Sequence, residues 1–130
     1  MTTKKALSKT YVINAPSHVV WAALTKPDSI AGWGGAPCVM DEKVGTKFSL
    51  WGGSIHGTNT EVVPEKTLMQ DWSEKTWTEP SKVTFTLESL GTKTVVMLLH
   101  SEVPTEFYKS IGLGWDEFYL GPLKRYCEKK

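Results

Sequence analysis

The last quarter of the chain, residues 103–130, constrains the fold most because it predicts one long amphipathic helix. Pro104 suits the first helical turn, where its missing N–H is not needed, and Glu106 places negative charge at the positive end of the helix dipole. The apolar residues of the predicted helix face are Phe107, Ile111, Trp115, Phe118, Leu123 and Tyr126. Such a helix is unstable alone in water, so the rest of the chain must supply an apolar surface for it.

Gly121 and Pro122 interrupt this helical pattern. Proline inside a helix removes one backbone hydrogen bond and clashes with the preceding turn. We therefore expect a kink near Phe118, which could set the width of a cavity beneath the helix.

The middle of the chain predicts strands that could form the required surface. Residues 81–90 alternate most clearly, with Val83, Phe85 and Leu87 on one face and polar residues between them. Further strands are predicted at 6–14, 38–40, 47–51, 55–63, 67–77 and 93–103, and short helices at 16–24 and 27–33. Short connections favour antiparallel pairing. The order predicts an α+β fold in which a curved antiparallel sheet grips one long helix.

Length and charge limit the class of protein. The 130 residues suit a single domain over 1–130, and the formal net charge of +1 gives no general attraction to nucleic acid or to membranes. We find no apolar stretch long enough for a signal peptide or a membrane span, so a cytoplasmic location is expected. Cys38 and Cys127 match no metal or redox spacing and are expected to be free thiols.

Several short segments, taken in order, resemble one family. Residues 13–16 (Ile-Asn-Ala-Pro) followed by residues 20–25 (Val-Trp-Ala-Ala-Leu-Thr) look like the opening of the START-like, or Bet v-like, helix-grip superfamily. The other matching residues are Gly45, Phe48, Gly57, 62–66, Trp72, Trp77, Val83, Thr84, His100, Gly114, Trp115, Leu123 and Lys124. Within the superfamily the chain is similar, over residues 8–128, to the C-terminal domain of the activator of Hsp90 ATPase.

The resemblance implies a six- or seven-stranded antiparallel sheet, two short helices after the first strand, and a cavity between the sheet and the long helix. It also implies a non-catalytic, co-chaperone-like or stress-related module with an Hsp90-type chaperone as its candidate partner and no cofactor. The alternative is a START-like protein that binds a small hydrophobic molecule, or a polyketide-cyclase-type enzyme. The eukaryotic co-chaperone has a separate N-terminal domain, for which we expect no room in 130 residues.

The expected cavity lies where the faces of sheet and helix converge. Aromatic rings with a few polar groups are typical of a small-molecule site, although the same rings could simply fill the core. The predicted lining residues are Trp33, Phe48, Asn59, Phe85, Val96, Leu98, His100, Trp115 and Tyr119. Asn59 stands where family members usually have an apolar residue, which suggests a more polar wall or a shifted strand. A small apolar or aromatic molecule is the expected ligand.

The sequence offers no pair of residues with the spacing of a catalytic or metal site. His100 is either a polar contact for a ligand or a histidine hydrogen-bonded at the cavity rim, and Ser101 beside it faces the opposite side of the strand. The other histidines have no partner at metal-ligand spacing. We therefore predict no catalytic residue and no metal, although distant residues could still meet in the fold.

A second apolar row, formed by Val95, Met97 and Leu99, alternates with Val96 and Leu98 along the last predicted strand. If one face of the sheet grips the helix, this row points outward, and an exposed apolar row indicates a partner surface. A chaperone, a weak homodimer and a shielding loop are all consistent with it.

Overall fold

The computed structural model describes residues 3–129, which form one six-stranded antiparallel sheet and a long C-terminal helix. The strands are β1 (Lys4–Ile13), β2 (Lys47–Leu50), β3 (Ile55–Val63), β4 (Thr67–Glu74), β5 (Ser81–Ser89) and β6 (Thr94–Pro104). They pair in the order β1-β6-β5-β4-β3-β2, so the first strand lies beside the last. The predicted α+β helix-grip fold is confirmed.

Two short helices, α1 (Ser17–Thr25) and α2 (Pro27–Trp33), follow β1 as predicted. Pro27 occupies the first turn of α2, where its missing N–H is harmless. The helix ends at Gly34, whose left-handed backbone (φ of 109°) lets its N–H bond the carbonyl of Ile30. Both helices pack against the far end of the C-terminal helix and close one end of the sheet.

The C-terminal helix has four segments: a 3₁₀ turn (Thr105–Phe107), α3 (Tyr108–Gly114), a π-helical segment (Trp115–Leu120) and α4 (Gly121–Glu128). Pro122 cannot donate a backbone hydrogen bond, and the π segment directly precedes it. Gly121 is required here because a Cβ at this position would collide with the carbonyl oxygen of Asp116. The irregularity expected near Phe118 is therefore present as a π-helical segment.

Alternation along the strands divides the sheet into two faces. The inner face, which packs against the helix, is buried, as at Phe85 on β5 and Leu98 on β6. The intervening residues Met97 and Leu99 face outward and are exposed. The predicted alternation of β4, β5 and β6 is confirmed.

Three details of the prediction were wrong. Residues 38–40 form a single bridge, Val39 to Ser49, because turns on both sides leave too few residues for a ladder. Strand β4 ends at Glu74, where the chain turns and the N–H of Trp77 bonds the Glu74 carbonyl at 3.0 Å. Phe118 is 63% exposed, because the wider π turn brings other residues of the helix to the sheet.

Candidate functional site

A cleft of about 450 Å³ lies between the C-terminal helix and the β3–β4 side of the sheet. The helix contributes residues of α3 and of the π segment, and a 3₁₀ turn at Trp51–Gly53 forms one end. The aromatic and charged lining residues are Trp51, Trp72, Glu74, Trp115, Phe118 and Tyr119. This volume is within the usual range for a small organic molecule.

Four aromatic rings form a continuous wall of the cleft. Trp72 and Trp115 stack with ring centroids 5.1 Å apart, and Tyr119 lies 4.7 Å from Trp115. Trp51 meets Tyr119 edge-on at 6.2 Å. Aromatic contacts of this kind are stabilising beyond the area they bury, so the rings of the wall hold one another in place.

Two polar groups in this wall have no partner. Glu74 follows Trp72 on the same face of β4, and burial raises the pKa of its carboxyl above the ordinary value. Among residues 3–129 the Glu74 side chain makes no hydrogen bond or ion pair, and the buried Nε1 of Trp72 has no acceptor in the same part of the chain. Unsatisfied polar groups are uncommon in a filled core.

A buried chain of hydrogen bonds stands behind the wall. The indole N–H of Trp115 donates to Nδ1 of His100 at 3.0 Å. Nε2 of His100 lies 2.7 Å from Oγ of Ser81, which donates to the Trp72 carbonyl at 2.9 Å. Burial lowers the pKa of His100 to about 3, so its ring is neutral at physiological pH.

This arrangement fixes which nitrogen of His100 carries the proton. An indole can only donate, so Nδ1 must accept, and the neutral ring then holds its proton on Nε2. His100 therefore donates to Ser81, whereas a base that activates a serine must accept from it. The Ser81–His100 pair, which the sequence did not predict, has the wrong polarity for nucleophilic catalysis and instead links the indole of Trp115 to the backbone of Trp72.

The cleft brings together only some of the predicted cavity residues. Trp115 and Tyr119 line it, and Trp33 packs behind Tyr119 with ring centroids 4.7 Å apart. The predicted residues that lie in the packed core between sheet and helix are Phe48, Phe85, Val96, Leu98 and His100. A ligand role for any of these side chains stays a prediction.

Asn59 lies away from the cleft in a separate buried polar cluster. Its Nδ2 donates to the carbonyl oxygens of Asp41 and Lys43 at 3.0 and 3.3 Å, and its Oδ1 accepts from Gln70 at 3.0 Å. These bonds attach the loop before β2 to the sheet. The polar residue that suggested a polar cavity wall therefore holds a loop in place.

Sequence reasoning missed Trp51, Trp72 and Glu74 as lining residues. A signal existed for Glu74, because it follows Trp72 by two residues on a predicted strand and so shares its face. Trp51 gave no such signal, since its position depends on a left-handed backbone (φ of 49°) at the end of β2.

The outer face of the sheet is the second candidate site. Met97 on β6 pairs with Thr10 of β1 and Thr86 of β5, and Leu99 is two residues later on the same face of β6. Met97 is 38% and Leu99 47% exposed. Val12, 51% exposed on β1, extends the row beside the half-buried Val95. The helices pack on the opposite face, and nothing in residues 3–129 covers these side chains.

The part of the chain that the structure describes has neither a metal-binding cluster nor a membrane-spanning helix. Residues 3–129 contain no group of three or more His, Cys, Asp or Glu side chains that could hold a metal ion. None of the described helices is both long and apolar enough to cross a bilayer.

Comparison with known proteins identifies the family. The family model for activator of Hsp90 ATPase homolog 1-like proteins matches residues 14–128, from the end of β1 to the end of α4. The chain belongs to the activator of Hsp90 ATPase homolog 1-like family. The human activator of 90 kDa heat shock protein ATPase homolog 1 is 25% identical over 126 residues, which cover 95% of this chain but 37% of the human protein. The chain spans about a third of the length of that relative.

Solved structures of similar proteins have the same fold. An HSP90 activator from Plasmodium falciparum superposes with a TM-score of 0.85 and 26% identity, covering 93% of this chain and 94% of that one. The Aha1 dimer from Colwellia psychrerythraea has a TM-score of 0.81 and 23% identity, covering 95% and 96% of the two chains. The helix-grip fold is thus common to these proteins and to this member of the family.

Proposed function

We propose that this chain is a non-catalytic cytoplasmic module that binds an Hsp90-type chaperone through the outer face of its sheet. The observation that carries the proposal is the outward-facing apolar row of Val95, Met97 and Leu99, in which Met97 and Leu99 are exposed and which the exposed Val12 extends. Membership of the Hsp90-activator family supports the choice of partner.

The chemistry of the outer face suits a protein partner. Threonines on the neighbouring strands, Thr10, Thr84 and Thr86, flank the apolar row and could hydrogen-bond at the edge of a contact. An apolar centre with a polar surround is the usual anatomy of a protein interface. The buried Ser81–His100 pair supports the non-catalytic part of the proposal, because His100 donates to Ser81 rather than accepting from it.

The test is an NMR titration of the ¹⁵N-labelled protein with a purified Hsp90-type chaperone. We expect line broadening at the outer residues of β1, β5 and β6, and a weaker effect in Met97→Lys. Leu113→Lys is the control, because Leu113 is also apolar and exposed but lies on α3. Broadening confined to the helix, or equal binding by both variants, would contradict the proposed surface.

A homodimer through the same row would compete with this interpretation. The related Aha1 dimer from Colwellia psychrerythraea makes that outcome worth measuring. Analytical ultracentrifugation over a concentration series separates the two: a dimer that Met97→Lys disperses, with no chaperone binding, would assign the row to self-association.

The cleft supports a second candidate function, the binding of a small apolar or aromatic molecule. Its aromatic wall and its volume of about 450 Å³ favour this function independently of the outer face. NMR titration with flavonoids, fatty acids and aromatic polyketides tests it. Shifts at Trp72, Trp115 and Tyr119 would support ligand binding, and shifts only at surface residues would exclude it. Conversion of a panel member, abolished in His100→Ala, would instead indicate a polyketide-cyclase-type enzyme.

A further inference from the structure

The cleft has a charge preference as well as a shape. Glu74 is the charged residue of the lining, and no Lys, Arg or His is among the lining residues in the described part of the chain. Its carboxylate is half-buried and has no cationic partner within residues 3–129. A partly desolvated carboxylate without a partner is unfavourable, so a cation that enters the cleft would relieve that penalty.

We propose that the cleft binds a small organic cation, namely an aromatic molecule that carries a protonated amine. The inference rests on the second candidate function, ligand binding in the cleft, and adds the chemical class of the ligand.

The aromatic wall and the carboxylate select the same charge. Aromatic ring faces are electronegative, and a cation within about 6 Å of one is attracted to it. Trp51 is the partly exposed tryptophan of the lining, whereas Trp72 and Trp115 stack on each other and are buried. Glu74 lies on the same strand face as Trp72 and can accept a charge-assisted hydrogen bond from an ammonium group. The aromatic part of the ligand would stack on the rings while its amine pairs with Glu74.

The same geometry disfavours an anion. A carboxylate or phosphate in this cleft would meet the charge of Glu74 with no basic side chain of the lining to compensate it. Neutral aromatic molecules can stack on the rings and hydrogen-bond to Glu74 but form no ion pair with it, so we expect them to bind more weakly than the amine.

Three probes with one ring system separate charge from shape. They are 1-naphthylmethylamine, which is a cation at pH 7, 1-naphthalenemethanol, which is neutral, and 1-naphthoic acid, which is an anion. Binding is measured by calorimetry and by the indole N–H resonances of Trp72 and Trp115. We expect the amine to bind about tenfold more tightly than the alcohol, the size of one charge-assisted contact at a partly solvated site, and the acid to bind most weakly.

The variant Glu74→Gln keeps the shape of the side chain and removes its charge. It should abolish the tenfold preference for the amine and change the affinity for the alcohol much less than the affinity for the amine. Glu88→Gln is the control, because Glu88 is exposed on the outer side of β5, away from the cleft, and its loss changes the net charge equally. A urea midpoint equal to that of the parent establishes that each variant is folded.

The outcomes distinguish this inference from the ligand-binding function beneath it. If amine and alcohol bind equally in the cleft and Glu74→Gln changes neither, the cleft binds ligands but the charge preference is wrong. If no probe shifts the indole resonances of Trp72 or Trp115, both the ligand-binding function and the inference are wrong. A preference for the amine that Glu88→Gln also removes would reflect net charge and overturn the role of Glu74.

Discussion

Tyr11 on β1 donates its hydroxyl to a carboxylate oxygen of Asp116, the second residue of the π segment. Lys9, two residues earlier on the same strand face, lies 2.8 Å from the other oxygen of that carboxylate. Strand β1 is one edge of the sheet, and the cleft lies towards the other edge. Contacts at the edge opposite the cleft thus anchor the helical segment that forms part of the cleft wall.

The first prediction concerns this anchor. Tyr11→Phe should lower the free energy of unfolding by about 1 kcal/mol, because it removes one hydrogen bond and keeps the ring. Urea denaturation at pH 7 measures the change. Tyr108→Phe is the control, since the Tyr108 ring packs near Lys5 but its hydroxyl makes no hydrogen bond within residues 3–129. An effect no larger than that of the control would mean that the Tyr11–Asp116 contact does not stabilise the fold.

The contribution of the anchor should also depend on pH. Burial, together with the hydrogen bond to Asp116, raises the pKa of Tyr11 to about 12, so this contribution is complete below about pH 10 and is lost as the pH rises through 12. Burial opposes the shift at Asp116, but the bonds from Lys9 and Tyr11 outweigh it and lower the pKa of that carboxyl. Its contribution is therefore present above about pH 4 and lost as the pH falls through the lowered value. The difference between parent and Tyr11→Phe should shrink at both extremes.

The second prediction concerns His100, whose folded-state pKa of about 3 is far below that of an exposed histidine. Below about pH 6.5 the unfolded chain binds a proton that the folded protein does not bind. Stability should therefore fall with decreasing pH by roughly 1.4 kcal/mol per unit from this residue, until about pH 3.

The measurement is the free energy of unfolding of the parent and of His100→Gln between pH 7 and 4.5. The variant should be less stable at pH 7, because it disrupts a buried hydrogen-bond chain, but its stability should fall less steeply with decreasing pH. The control variant is His56→Gln, which removes an exposed histidine. Equal slopes for the parent and His100→Gln would show that His100 is not buried in the neutral form.

The third prediction concerns Trp115, which is 2% exposed between the helix and the sheet. Trp115→Ala should destabilise the protein by about 3–5 kcal/mol, because it leaves a cavity among Trp72, Phe85 and Tyr119. Trp115→Phe keeps one aromatic ring and loses the donor to His100 and part of the indole volume, so it should be the milder change. A denaturant midpoint of Trp115→Ala within error of the parent would place this ring outside the core.

The sequence predicted those features that depend on local periodicity. Alternation in β5 and β6 placed Phe85 and Leu98 inward and Met97 outward, because a strand has a fixed side-chain period of two. The C-terminal helix was likewise predicted from the regular spacing of its apolar residues, but Phe118 was placed on the wrong face. A π turn changes the number of residues per turn, and its position depends on how Gly121 and Pro122 are accommodated in three dimensions.

The candidate site was harder to predict because it depends on register between distant strands. Ser81 and His100 meet only because β5 and β6 pair with Lys82 opposite Ser101. Neither residue reveals that alignment in its local sequence, and the indole of Trp115 defines which ring nitrogen of His100 is protonated. For Asn59, the local sequence did give a signal, since its polarity suggested a ligand contact. In the structure its bonds hold the loop at residues 41–43.

The last prediction tests the orientation of β6 without reference to a partner. Met97→Lys should leave the protein folded and change its free energy of unfolding by less than about 0.5 kcal/mol, because the side chain is exposed on the outer face. Leu98→Lys, one residue later, should prevent folding or destabilise the protein by several kcal/mol, because it places a charge in the core. Circular dichroism and urea denaturation compare the two. If Met97→Lys is the variant that fails to fold, the two faces of β6 are exchanged, and the proposed partner surface belongs to the core.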